Sequence, residues 1–282
     1  MSIKSLIAIL ASLALPLMAG AQTLDYVQAD NESDYGARIS AGVDWKVIPK
    51  KLHIEWSEEV RTEDGFDLSK LYSNIGLDYR ITPWLKAGAE YSFINSHSEK
   101  NGWRNRHRGR FSLTGYYKAG RMTFSLRETV QATCKDYSVN NYQEPQIDAK
   151  LKSRLKFEYD IPACKFDPFA SAEVRNTLNA VNPQSFTYDS VNDRWNASAK
   201  DYSDVYIDRL RFTLGGTLKM RKTHELDIFA VLDCNYDLDI DTNSEGLEKK
   251  DLDGKGYGNS YPMLTLKDKY FVGLGLAYRF EL

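Results

Sequence analysis

Tyr270-Phe271-Val272-Gly273-Leu274-Gly275-Leu276-Ala277-Tyr278-Arg279-Phe280-Glu281-Leu282 closes the chain, and its alternation decides how the rest is read. Side chains on a strand alternate between two faces. Tyr270, Val272, Leu274, Leu276, Tyr278 and Phe280 therefore share one apolar face. Gly273, Gly275, Ala277, Arg279 and Glu281 share the other, with Phe271 as the exception. A soluble strand of this kind turns its apolar face to a core. A strand of a barrel in a bilayer turns it to lipid and keeps the small, polar face inside.

The same alternation runs upstream through most of the chain. It predicts a weak first strand over Thr23–Ala29 and a clear one over Tyr35–Val47, with Ile39, Ala41, Val43, Trp45 and Val47 on one face. Further strands are marked by Leu52–Val60, Leu71–Tyr79, Leu85–Phe93, Phe111–Tyr117, Met122–Val130, Ala149–Tyr159, Ala170–Val174, Leu210–Leu218 and Leu226–Leu232. Short turns fall near 48–51, 81–84, 119–121, 161–165 and 221–225. Long polar connections fall near 62–69, 96–105, 133–147, 178–203 and 238–267. Short turns on one rim and long loops on the other are the plan of an outer-membrane barrel. Strands of about ten residues also suit a tilted crossing of a bilayer. The expectation is an all-β, transmembrane, antiparallel up-and-down barrel of about twelve strands, with both termini on the short-turn rim.

Placing each short turn predicts cross-strand charge pairs on the polar face: Asp78 with Lys86, Lys152 with Glu173, Lys219 with Asp227 and Arg209 with Asp237. Each such pair contributes roughly 0.2–1 kcal/mol. Asp44 falls opposite Glu55, the one unfavourable pairing. The row Lys150, Lys152, Arg154 and Lys156 repeats every second residue and points one way. Lipid-facing charges near the midplane cost ~2–4 kcal/mol each, so in a membrane barrel this row faces the lumen. Lys150, Lys152, Arg154, Lys156, Glu173, Arg209, Lys219 and Asp227 are the expected lumen-lining set.

The N-terminus reads as a secretory signal over 1–21, with the barrel as 22–282. Lys4 is the charged start, Ser5 to Leu17 the apolar region, and Ala19-Gly20-Ala21 the small-residue site before Gln22. The apolar run is short and broken by Pro16, which favours a cleaved signal over an anchor. A net charge of −2 gives no electrostatic case for nucleic acid. The chain has 18 Tyr, 12 Phe and 5 Trp, residue types that favour boundaries between apolar and wet surroundings. Cys134, Cys164 and Cys234 are an odd number at no metal-ligand spacing, and read as free, small apolar fillers.

Gly275-Leu276-Ala277-Tyr278-Arg279-Phe280 resembles the C-terminal signal of bacterial outer-membrane barrels, here carried by Gly275, Tyr278 and Phe280. That family usually ends on Phe itself, whereas Glu281 and Leu282 follow here. The resemblance implies recognition by the barrel-assembly machinery, outer-membrane lipids as surroundings, and a Gram-negative outer-membrane location. Glu58-Glu59-Val60-Arg61, Pro83-Trp84 and Pro168-Phe169-Ala170-Ser171-Ala172-Glu173 resemble, more narrowly, a family of outer-membrane barrels known only as a domain of unknown function. That likeness brings no activity with it.

No G-x-S-x-G elbow is present. His107 and Glu128 are both predicted to face outward, with His107 opposite Ala132, about 13 Å from Glu128 along the strand and beyond hydrogen-bond reach. Asp237, Asp239, Asp241 and Glu248 sit at calcium-loop positions, but Thr242 stands where the sharp turn needs Gly. The reading expects no metal, no cofactor and no catalysis. It leaves two functions open, a narrow pore for small anionic solutes and a purely structural barrel. The other classes it carries are an outer-membrane lipid hydrolase using His107, and a soluble periplasmic barrel whose apolar faces line a ligand cavity.

Overall fold

The computed structural model describes residues 27–28, 31–98, 101–139, 144–181, 186–189, 191, 194–197, 202–221, 223–242 and 262–282. The expected signal segment lies outside these residues. The strands are β1 (Val27–Gln28), β2 (Glu32–Ile48), β3 (Leu52–Glu63), β4 (Asp67–Thr82), β5 (Leu85–Ser98), β6 (Gly102–Ala119), β7 (Met122–Lys135), β8 (Ile147–Tyr159), β9 (Phe166–Ala180), β10 (Phe186–Asp189), β11 (Arg194–Ala197), β12 (Asp204–Arg221), β13 (His224–Thr242) and β14 (Pro262–Glu281).

Neighbours from β2 to β9 pair antiparallel, β9 pairs with β12, and β12 to β14 continue the sheet. β10 and β11 form a separate hairpin. The sheet closes where β14 meets β2, and this seam is parallel, running from Lys269↔Glu32 to Glu281↔Asp44. The barrel therefore has eleven staves. β1 lies on the same edge of β14, just ahead of β2 (Val27↔Thr265, Gln28↔Leu266). It is an interrupted start of β2, not the separate twelfth strand expected. The described chain begins at the long-loop rim and ends at the short-turn rim.

Pattern fixes the seam. Val272↔Tyr35, Leu276↔Ile39 and Phe280↔Val43 put apolar residues side by side outside, while Gly273↔Gly36 and Ala277↔Ser40 meet inside. A slip of one residue would invert every side chain of the strand. Glu281 and Leu282, the two residues beyond the aromatic signal, complete the closure. Glu281 N donates to Thr223 O at 2.8 Å, Leu282 N to Asp44 O at 2.8 Å, and Lys46 N to Leu282 O at 3.2 Å.

The apolar faces turn outward. Leu214 and Leu274 are 69% and 66% exposed, while Asp208 and Asp233 inside are each 4% exposed. The expectation of an apolar inner wall, carried by one of the alternatives, is thus corrected, because the cavity side is the charged side. Phe271, the exception in the closing strand, points inward. Its ring lies over Gly273, where an added Cβ would come within 2.6 Å of ring carbon Cε1. Gly273 is small so that this ring can lie flat on the wall.

Two expected long loops are tight. Asp64, Gly65 and Phe66, all with positive φ, link β3 to β4, and three residues separate Ser98 from Gly102. The 136–146, 181–203 and 243–261 connections remain long. The registers are displaced by two residues, with Asp78 opposite Gly88, Lys152 opposite Arg175, Lys219 opposite Glu225 and Arg209 opposite Asn235, yet Asp78 and Lys86 still pair diagonally, Lys86 Nζ lying 2.8 Å from Asp78 Oδ2. The irregularity at Lys219/Arg221 supplies one of the two residues by which Lys219 and Arg209 are shifted. A two-residue shift preserves the faces, so the inward and outward assignments are untouched. Asp44 does face Glu55, relieved by His53 Nδ1 at 3.2 Å from Asp44 Oδ1. Asp237, Asp239 and Asp241 lie in β13 opposite Lys267, Thr265 and Met263, so no calcium loop turns there. Glu248 lies outside the described residues. The three cysteines are free. Cys134 and Cys234 sit on the outer wall and Cys164 in a turn, so none fills a core.

Candidate functional site: a basic lumen

β6, β7 and β8 are consecutive staves, and their inner faces carry cations in rows. Period-two alternation puts Arg106, Arg108 and Arg110 inside on β6, and Lys150, Lys152 and Arg154 inside on β8. Between them β7 presents Thr133, Gln131, Thr129 and Arg127. The register is Arg108↔Thr133, Arg110↔Gln131 and Thr114↔Arg127 on one side, and Gln131↔Lys150, Thr129↔Lys152 and Arg127↔Arg154 on the other. Hydroxyl and amide groups thus floor a trough with cationic walls.

Acids from other staves neutralise only part of it. Arg110 pairs with Glu90, and Lys150 Nζ lies 2.5 Å from Asp208 Oδ2. Arg108 Nε donates to Thr133 Oγ1 at 3.2 Å, and Arg127 Nε to Thr114 Oγ1 at 3.0 Å, both neutral partners. Arg154 faces Glu173 across the strands, but the Glu173 carboxylate closes on Arg209 Nη2 at 2.5 Å. Among the described residues, Arg106, Arg108, Arg127, Lys152 and Arg154 have no carboxylate within salt-bridge distance. Cations two residues apart on a strand sit about 7 Å apart, and at an effective dielectric near 20 each such pair repels by ~2 kcal/mol before salt screening.

The opposite arc is built from matched charges. Asp233 accepts from Arg211 Nε and Nη2 at 2.5 and 2.7 Å, and from Arg38 Nη2 at 2.7 Å. Arg61 pairs with Glu59, and Asp208 also takes Arg175 Nε at 2.7 Å. A β-bulge between Ile207 and Arg209 makes Asp208 the extra residue, so Asp208 and Arg209 both reach the interior.

These side chains divide the lumen. A chamber of about 590 Å³ lies toward the long-loop rim, and one of about 260 Å³ toward the short turns. Arg38, Arg61, Arg154, Glu173 and Arg211 line both and form the girdle between them. Fourteen Lys and Arg and seven Asp and Glu line the larger chamber, an excess of cations in a chain whose net charge is −2.

Of the expected lining set, Lys150, Lys152, Arg154, Glu173 and Arg209 sit in the larger chamber, and Lys156 and Asp227 in the smaller. Lys219 is at the short-turn rim with Asp167. Lys156 pairs with Glu158 at 2.6 Å, and its Nζ stands 4.4 Å from the Phe169 ring centre. Gly275 faces the lumen beneath Phe229. Tyr278 and Phe280 are on the outer wall around His224, with Tyr278 Oη 2.6 Å from His224 Nδ1. Sequence reasoning missed the β6 row, because Arg104 and its neighbours lack apolar partners and read as loop. The period-two spacing of Arg104, Arg106, Arg108 and Arg110 was the available signal.

His107 and Glu128, already expected beyond reach of one another, lie further apart still. His107 lies opposite Cys134, not Ala132, which puts it six residues, about 20 Å, from Glu128 along the strand. His107 Nδ1 is 2.7 Å from Tyr91 Oη. Glu128 instead accepts from Ser153 Oγ at 2.6 Å, as Glu58 does from Ser73 Oγ at 2.7 Å.

The chain belongs to the family described as "Protein of unknown function (DUF2490)". Its model matches residues 39–241, from the middle of β2 to the end of β13. The matched span contains the basic trough and, apart from Arg38, the girdle. None of the curated proteins matches the chain.

Proposed function

We propose that this member of the family is an integral outer-membrane barrel without catalysis, whose narrow basic lumen favours small anions. The observation that carries the membrane reading is the outer wall. Ile39, Ile75, Val130, Leu155, Leu214 and Leu274 form an exposed aliphatic belt. Tyr35, Phe66, Trp103 and Tyr270 border it toward one rim, and Trp45, Tyr79, Trp84 and Tyr117 toward the other. Exposed apolar surface of this extent marks contact with another apolar phase. Paired aromatic girdles are the pattern of barrels in a bilayer. From Tyr270 to Phe280, at ~3.4 Å per residue and a tilt of about 45°, the belt is about 24 Å tall, close to the apolar height of such barrels.

On this reading the 1–21 segment directs export, Gly275, Tyr278 and Phe280 engage the assembly machinery, and the short-turn rim faces the periplasm. The girdle of Arg38, Arg61, Arg154, Glu173 and Arg211 is the constriction, and it gives low conductance with a preference for anions. Fractionation and gels test the placement: the protein should partition with outer membranes and migrate differently before and after heating. Recovery as a soluble periplasmic monomer without detergent overturns it. Planar-bilayer recordings test the lumen: small, anion-preferring currents are expected, and their absence leaves a structural barrel.

A further inference from the structure

We propose that the larger chamber is a binding site for a soluble, phosphate-bearing ligand with two or more negative charges, held over β7 between Arg108 and Lys152. The inference rests on the anion-favouring lumen but asks more of it. A pore needs only a positive potential, whereas a site needs convergent donors that lack other partners.

Three observations meet here. Arg106, Arg108, Arg127, Lys152 and Arg154 have no carboxylate partner among the described residues. The guanidinium Nε atoms of Arg106, Arg110 and Arg209 are buried without any hydrogen-bond acceptor, although each lines this chamber. Buried donors are ordinarily satisfied, and those of a cation are the most expensive to leave open. The chamber volume of about 590 Å³ is in the range of small-molecule sites.

Geometry selects the ligand. β6 and β8 are separated by β7, so their cation rows stand about 10 Å apart, two strand spacings. One monovalent ion cannot neutralise both rows, but a ligand with two anionic groups can span them. Thr129, Gln131 and Thr133 supply further polar groups from the floor. Donors converging from three staves suit the tetrahedral oxygens of phosphate better than a planar carboxylate, and arginine forks match phosphate oxygens in pairs. The trough opens into the lumen and not onto the outer wall, so a free anion is the ligand and not the headgroup of a surrounding lipid.

Calorimetric titration of the detergent-folded barrel with inorganic diphosphate, citrate and chloride tests this. Saturable diphosphate binding is expected, tighter than citrate. It should weaken about tenfold or more in Arg108→Gln/Lys152→Gln and persist in Lys152→Arg. No saturable binding, citrate binding as tight as diphosphate, or a double variant that binds as the parent does would overturn the proposal. If the double variant does not fold, Lys152→Gln alone should lose about threefold or more, and no loss overturns the proposal equally. The titration needs no bilayer and no current. A silent barrel that binds diphosphate fails only as a pore, and an anion-selective barrel that ignores diphosphate fails only here.

Discussion

Two arcs of one wall use the same cations differently. On the arc from β12 through β14 to β3, arginines are locked to acids: Arg38 and Arg211 share Asp233, and Arg61 holds Glu59. On the arc β6 to β8, rows of Lys and Arg face the lumen with few carboxylates to meet. The matched arc satisfies itself and braces the barrel. The unmatched arc keeps repulsion that a bound anion would relieve further. The contrast teaches that charge type does not separate a structural from a functional lining. The count of partners does.

The largest effect should come from breaking the matched arc. Asp233→Asn leaves two buried guanidiniums short of charge and should destabilise the barrel by ~3–5 kcal/mol, read as a lowered urea midpoint in detergent micelles. A small shift would mean the two arcs do not differ. Next comes the outside that both arcs share. Leu274→Arg should cost ~2–4 kcal/mol in lipid vesicles, and unchanged stability there would remove the lipid-facing assignment.

The unmatched arc should answer in selectivity before stability. Lys152→Glu with Arg154→Glu should move the reversal potential in asymmetric salt toward cation preference. Currents indifferent to both reversals would mean this arc does not line the path. The smallest effect is the most discriminating. Lys152→Met removes one cation from a repelling row, so stability should change by less than ~1 kcal/mol, and upward. A clear loss of stability would show that Lys152 has a structural partner after all.

Much of this was legible in the sequence because period two survives errors of register. Leu274 and Gly275 were separated correctly into outer and inner faces, and Lys152 stayed inside although its partner moved from Glu173 to Arg175. What failed depended on turns and closure. The Asp64-Gly65 signal for a tight hairpin was swallowed in a polar stretch, and three positive-φ residues made the turn. The expected count of about twelve came close, and eleven close the barrel because Val27–Gln28 continue β2 along β14, a long-range choice that no local pattern records. The parallel seam between β14 and β2 is what lets an odd number of otherwise antiparallel staves close. The trough was half seen: Lys150 to Lys156 stand on a strand with strong apolar alternation, whereas Arg104 to Arg110 precede it on theirs. The Asp208 bulge was invisible, since an inserted residue looks like any other.

The parallel seam also bears on when the barrel can form. Each hairpin pairs segments close together in sequence, but β14 and β2 are the last and nearly the first of the described strands. Contacts so far apart in sequence are slow to find because the loop between them must be closed first. Until β14 arrives, β2 and β13 are open edges able to recruit other strands. Glu281 and Leu282, hydrogen-bonded to Thr223 and Asp44, are the final stitches. A barrel lacking only β14 would hold the other ten staves in place and still be an open, aggregation-prone sheet, so one strand carries the whole difference between an edge-bearing sheet and a closed wall.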